Sequence, residues 1–128
     1  RLTKVEFESS LASPHQLKTI DYGAFSRCRS LERFKVPSSV NMIGQAAFGR
    51  CDVLVEANLS STSIKEIPFE GYNQCRSLQT VSLPNSLERI GNSAFQTCRC
   101  LATVTVPLDS QPIEIEPRAF YECRVLAN

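Results

Sequence analysis

A twelve-residue phrase occurs five times in this 128-residue chain, at intervals of 23 to 25 residues. In each copy an isoleucine stands eight residues before a cysteine, and a leucine stands three residues after that cysteine. The cysteines are Cys28, Cys51, Cys75, Cys98 and Cys123. Because self-similarity at a period of 20–50 residues is the signature of stacked repeat architectures, the chain is predicted to be an array of one small unit.

The recurring isoleucines divide the chain into repeats. Four repeats are complete, at 20–42, 43–66, 67–89 and 90–114, and partial repeats occupy 1–19 and 115–128. We therefore expect residues 1–128 to form a single repeat domain. Since a solenoid without polar caps exposes core residues at its ends, we also expect this domain to be part of a longer array.

The segment after each leucine alternates between apolar and polar residues, as in "LERFKVP" and "LATVTVP". This alternation predicts a half-buried strand, which a proline such as Pro37 then ends because it has no N–H for the ladder. A second apolar pair returns the chain, and the "AF..C" phrase predicts a short 3₁₀ or helical turn. The inward-facing strand residues are predicted to be Phe34, Val36, Ala57, Leu59, Val81, Leu83, Val104 and Val106.

One aromatic residue recurs in every repeat, each time preceded by a small residue. The aromatics are Phe25, Phe48, Tyr72, Phe95 and Phe120. A single unit of about two dozen residues cannot bury its apolar side alone, whereas units stacked about 4.8 Å apart share one core. The five rings are therefore predicted to stack as an internal spine.

The combined pattern "C..L..v.vP.sv..Ig..AF..C" resembles the BspA-like class of leucine-rich repeats. The resemblance implies an α/β repeat solenoid, mostly β with short 3₁₀ or helical turns, coiled right-handed around a concave parallel sheet. It also implies a non-catalytic module that binds a protein partner through that sheet. The chain departs from the pattern at Ser60, Pro68 and Tyr72.

The outward positions of the predicted strands are the first candidate site. By alternation they are Arg33, Lys35, Glu56, Asn58, Thr80, Ser82, Thr103 and Thr105. They change from charged side chains to small hydroxyls along the array and include none of the aromatics that dominate protein hot spots. The alternative interpretation is a structural scaffold or adhesin segment of a surface protein or large assembly, in which the ends and edges matter more than this face.

A column of arginines is the second candidate site. Arg76, Arg99 and Arg124 each follow a repeat cysteine and are predicted to lie on the outside of three successive units. Guanidinium groups bind oxyanions well, so the column could hold a phosphate, a sulfated glycan or an acidic partner. The alternative is a solvated edge balanced by acids such as Glu122.

The cysteines are predicted to be reduced packing residues, since cysteine is a compact and mildly polar filler. Two alternatives stay open from the sequence. Equivalent positions on neighbouring units lie about 5 Å apart, which a disulfide tolerates. A zinc site could draw on Cys75, Cys98, Cys100 and Cys123, although their spacing is not that of a zinc knuckle. No cofactor is predicted.

Several function classes have little support in the composition. The net charge is +1, whereas nucleic-acid and anionic-membrane binders carry a basic surplus. No run approaches the roughly 18 apolar residues that span a bilayer. The one histidine, His15, lies in a loop-like connection without a catalytic partner pattern. The sequence thus favours a non-enzymatic protein with a protein partner, and leaves its compartment open.

Overall fold

The computed structural model describes residues 4–5 and 17–126, which form a parallel β-solenoid. One side of the coil is a five-stranded parallel sheet in the order β1-β3-β5-β7-β9. Its strands, in that order, are Lys4–Val5, Arg33–Lys35, Glu56–Asn58, Thr80–Ser82 and Thr103–Thr105. A second side carries β2, β4, β6, β8 and β10, which are Thr19–Ile20, Met42–Ile43, Glu66–Ile67, Arg89–Ile90 and Glu114–Ile115. The predicted histidine loop at His15 lies outside the described residues.

The strand register follows the repeat spacing. In the long sheet Arg33 pairs with Glu56, Glu56 with Thr80, and Thr80 with Thr103. On the second side Ile67 pairs with Ile90. Equivalent residues of successive repeats are therefore direct neighbours, as the sequence predicts.

The inward strand residues form the core, with one exception at the last strand. Phe34, Ala57 and Val81 are all at most 4% exposed. Val104 is only partly buried, and the prediction for Val106 is wrong because 46% of it is exposed. The reason is positional: β9 is the edge of the sheet within the described part of the chain, so no later strand covers it.

The predicted aromatic spine is confirmed. Successive rings lie parallel, with centroids 5.4 Å apart for Phe25 and Phe48 and 4.9 Å apart for Phe48 and Tyr72. The stack continues through Phe95 to Phe120 with two further spacings of 5.4 Å. Phe48, Tyr72 and Phe95 are at most 1% exposed, so the spine is the centre of the core.

The predicted 3₁₀ or helical turns are not confirmed, and neither is the concavity of the sheet. The "AF..C" segment is a series of β-turns, and the described residues contain no helix and hence none able to cross a membrane. The N–H of Cys51 bonds to the carbonyl of Phe48 at 3.4 Å, and the intervening Arg50 has a φ of 59°. A positive φ at this place in a turn interrupts any right-handed helix.

Pro68 divides the second side into two sheets. The N–H of Gly44 donates to Ile20 at 2.6 Å, and the N–H of Gly91 donates to Ile67 at 2.7 Å. Pro68 occupies the same position in the intervening repeat and has no N–H to donate. Accordingly β2-β4 and β6-β8-β10 are separate sheets. Where the pairing is intact the coils are so close that a Cβ on Gly44 would collide with the backbone of Tyr22.

Candidate protein-binding face

The outward side chains of the long sheet form two straight rows, which we call the strand face. One row is Arg33, Glu56, Thr80 and Thr103, and the other is Lys35, Asn58, Ser82 and Thr105. All eight are exposed or half-buried. Because neighbouring strands of a sheet lie about 4.8 Å apart, the structure brings every predicted residue of this face onto one continuous surface.

The strand face is charged at one end and neutral at the other. Arg33 and Lys35 share β3, and Glu56 is the direct register neighbour of Arg33. Beyond them, β7 and β9 offer only hydroxyl groups, each of which both donates and accepts hydrogen bonds. Chemically, the face can bind a polar surface through many hydrogen bonds and can orient it through the basic end.

Asn58 differs from its neighbours because it has a local structural role. Its Oδ1 accepts hydrogen bonds from the N–H of Ser60 at 3.1 Å and from the hydroxyl of Ser60 at 2.7 Å. Ser60 stands where the neighbouring repeats have Pro37 and Pro84, which lack an N–H. Serine at this position has an N–H that proline lacks, and Asn58 accepts a hydrogen bond from it. The carboxamide oxygen of Asn58 is therefore already partly occupied by hydrogen bonds within the chain.

The arginine column lies beside acids. Arg76 is 3.9 Å from Asp52, and Arg99 and Arg124 are each 3.9 Å from Glu122. These side chains are 35–63% exposed, and exposed ion pairs add little to stability. The geometry favours a solvated, charge-balanced edge, and the anion-binding role of this column stays a prediction.

The repeat cysteines form a ladder of thiol hydrogen bonds. From the second of the five repeat cysteines onward, each thiol donates to the carbonyl of the aromatic residue in the preceding repeat, at distances of 3.0 to 3.2 Å. The donors are Cys51, Cys75, Cys98 and Cys123, and the acceptors are Phe25, Phe48, Tyr72 and Phe95 respectively. This bond explains why the position holds cysteine rather than alanine: the side chain must fill a small space and also donate.

Burial disfavours the thiolate form of three ladder thiols. It raises the pKa of Cys75 and of Cys98 well above the ordinary value of 9.0 and raises that of Cys123 to about 11, whereas a hydrogen bond with Cys75 lowers the pKa of Cys51. A thiolate is the reactive form, so these groups suit packing rather than chemistry. Cys100 is exposed and lies outside the ladder. Within residues 17–126, no group of three histidine, cysteine or carboxylate side chains is arranged to hold a metal ion.

One polar notch was not predicted from the sequence. It lies on the turn segments and is lined in part by Arg27 and Arg50. Both arginines stand one residue before a repeat cysteine, and they are 23 residues apart. This equivalent position in adjacent repeats is the sequence signal that could have predicted that they lie side by side. The sequence analysis instead considered the arginines that follow the cysteine.

Comparison with known proteins identifies the family. A model of the BspA type leucine-rich repeat region matches residues 3–127 in six copies. The chain belongs to this family. No curated protein sequence matches the chain.

Solved structures of bacterial leucine-rich repeat proteins share the fold. A leucine-rich cell surface protein from Faecalibacterium prausnitzii aligns over 91% of this chain and 30% of its own, with 31% identity and a TM-score of 0.79. A leucine-rich repeat protein from Eubacterium ventriosum covers 84% of this chain and 28% of its own, at 25% identity and a TM-score of 0.74. One from Bacteroides ovatus, at 23% identity and a TM-score of 0.64, shares the fold over 99% of this chain and 44% of its own. The chain thus spans less than half the length of each.

Proposed function

We propose that this chain is a non-catalytic module that binds a protein partner through the strand face. The observation that supports this proposal best is the pair of in-register rows of exposed and half-buried side chains on a sheet whose other side is buried at β3, β5 and β7. On the inner side of the sheet, Ala57 and Val81 are at most 1% exposed, so the outward side chains extend from a well-packed backbone. Stacked repeats commonly use such extended surfaces for binding.

The composition of the face favours a polar partner surface with acidic groups at one end. Arg33 and Lys35 supply the positive charge, and the hydroxyl side chains supply hydrogen bonds along the rest of the face. Charge complementarity at exposed positions acts mainly on the association rate and weakens with added salt. Association is therefore expected to slow as the ionic strength rises.

A matched pair of triple variants tests the proposal. Arg33, Lys35 and Glu56 are changed together to alanine, and recovery of native partners is compared with that of the wild-type chain. The control changes Arg29, Lys65 and Glu88 to alanine, which removes the same charges from exposed positions outside the face. The proposal predicts a loss of at least tenfold for the first variant only. Equal recovery by both variants would remove the strand face from the account.

A second candidate function is a structural repeat segment of a larger surface protein. The similarity to a cell surface protein of Faecalibacterium prausnitzii favours it, together with the 30% share of that protein that the chain covers. In this account the chain is one stretch of a longer repeat array, and the strand face is dispensable. Antibody labelling of intact cells that express the parent protein tests the location, and unchanged adhesion by the strand-face variant would favour this role over partner binding.

A further inference from the structure

The polar notch lies between three successive repeats on the side formed by the turns. It has a volume of about 240 Å³ and is open to solvent. Its lining residues are Ser26, Arg27, Ala46, Gly49, Arg50, Glu70, Asn73 and Gln74. These residues belong to the turn segments, whereas the strand face is formed by the long sheet. A role for the notch is therefore independent of the proposed protein binding.

The notch exists because one repeat lacks a side chain at a position that the others fill. Two residues before the repeat cysteine, the neighbouring repeats carry Ser26, Asn73 and Gln96, whereas this repeat carries Gly49. Packing does not demand the glycine: a Cβ built on it would meet its nearest neighbour, the carbonyl of Ala46, at an ordinary 3.5 Å. The glycine thus leaves open a space that a side chain could occupy.

Two arginines line this space together with one acid, Glu70, whose carboxylate accepts a hydrogen bond from Asn73. The N–H of Arg27 bonds to Gly49 at 2.7 Å and that of Arg50 bonds to Asn73 at 2.7 Å, so the two residues occupy equivalent places on adjacent coils. Both side chains are exposed, and neither forms an ion pair with any residue that the structure describes. Like charges on adjacent coils repel, and an anion placed between them removes that repulsion.

The residues that line the notch also include hydrogen-bond acceptors. Asn73 donates from Nδ2 to Oε2 of Glu70 at 3.2 Å, and this bond fixes the orientation of the amide because a carboxylate can only accept. The Oδ1 of Asn73 is buried and has no donor among the described residues. This oxygen is closed to solvent, so the acceptor that the notch offers to a ligand is the other carboxylate oxygen of the half-buried Glu70.

We propose that the notch binds a sugar that carries a carboxylate, such as a uronic acid unit of an acidic glycan. Its carboxylate would be held by Arg27 and Arg50, and its ring hydroxyls would donate to Glu70. A fully ionised sulfate brings charge but no hydrogen-bond donor for Glu70. The volume of about 240 Å³ lies below the roughly 300–1,000 Å³ of pockets for drug-sized molecules, which suits one sugar ring.

NMR titration of the ¹⁵N-labelled chain with D-glucuronate tests the proposal. We expect saturable shifts at the amides of Gly49, Asn73 and Gln74, with a dissociation constant on the order of 1 mM for a ligand of this size. Glucose and acetate are expected to bind at least tenfold more weakly, because glucose lacks the carboxylate and acetate lacks the ring hydroxyls. Absence of shifts at the notch overturns the site, and equal binding of acetate or tighter binding of glycine overturns its assignment to an acidic sugar.

Three variants connect binding to the notch. Arg50→Gln removes one charge, and Gly49→Ser fills the space with the residue that the first repeat carries there. Each is expected to weaken glucuronate binding at least tenfold while the remaining amide spectrum is retained. Arg29→Gln is the control, since it removes an exposed arginine outside the notch and should change affinity less than twofold. Wild-type affinity in Gly49→Ser would overturn the proposal.

Discussion

Replacing an aromatic residue of the spine with alanine should destabilise the fold more at the centre of the stack than at its end. Phe48 is fully buried and lies between the rings of Phe25 and Tyr72. It also makes an edge-to-face contact with Phe34, with the ring centroids 5.0 Å apart. Phe48→Ala should lower the free energy of unfolding by about 4 kcal/mol, since Phe-to-Ala changes in cores cost 3–5 kcal/mol. Phe120 is half-buried and stacks on one ring, so Phe120→Ala should cost about 2 kcal/mol. Urea unfolding followed by circular dichroism measures both.

The controls separate spine stacking from general loss of apolar surface. Phe69 is 44% exposed and lies outside the stack, so Phe69→Ala should cost only about 1 kcal/mol. If Phe48→Ala does not fold, Phe48→Leu provides the measurement, with an expected loss of about 1.5–2.5 kcal/mol from poorer packing and two lost ring stacks. A loss for Phe120 equal to or larger than that for Phe48 would refute the reasoning.

Two further predictions concern the backbone and the thiols. Gly44→Ala should lower the free energy of unfolding by about 3 kcal/mol because the added Cβ would collide with the preceding coil. Gly49→Ala should lower it by less than about 1 kcal/mol, because a Cβ there meets only ordinary contacts. Thermal unfolding of the two variants checks this, and equal losses of stability would contradict it. Burial raises the pKa of Cys75 and Cys98, and raises that of Cys123 to about 11, whereas the unfolded thiols ionise near 9.0. The unfolded state therefore loses these three protons first. Because they outnumber the one thiol whose pKa is lowered, Cys51, the free energy of unfolding should fall as the pH rises above about 9. A urea midpoint that rises between pH 8 and pH 10 would count against buried thiols.

The repeat spacing predicted the parts of the fold that depend on equivalence between units. Arg33 and Glu56 are predicted to lie side by side because they occupy the same position of the repeat, although the coils vary from 23 to 25 residues in length. The same reasoning placed Phe48, Tyr72 and Phe95 in one stack and the eight side chains of the strand face in two rows. All of these features repeat, so the sequence pattern alone carries them.

The features that could not be predicted depend on single residues that differ between units. The missing N–H of Pro68 separates two sheets, and the missing side chain of Gly49 opens a notch. The turn conformation was also missed, because a residue such as Arg50 gives no sequence signal for its positive φ. The exposure of Val106 follows from its place directly after the edge strand β9 rather than from its type.

Nuclear Overhauser contacts between aromatic rings test the central claim most directly, which is that successive coils share one continuous interior. The stack predicts strong cross-peaks between Phe48 and Tyr72 and between Tyr72 and Phe95, whose centroids lie 4.9 Å and 5.4 Å apart. It predicts none between Phe25 and Phe95, which are separated by two intervening rings. Missing cross-peaks between adjacent rings, or a strong one between Phe25 and Phe95, would contradict the stacked solenoid.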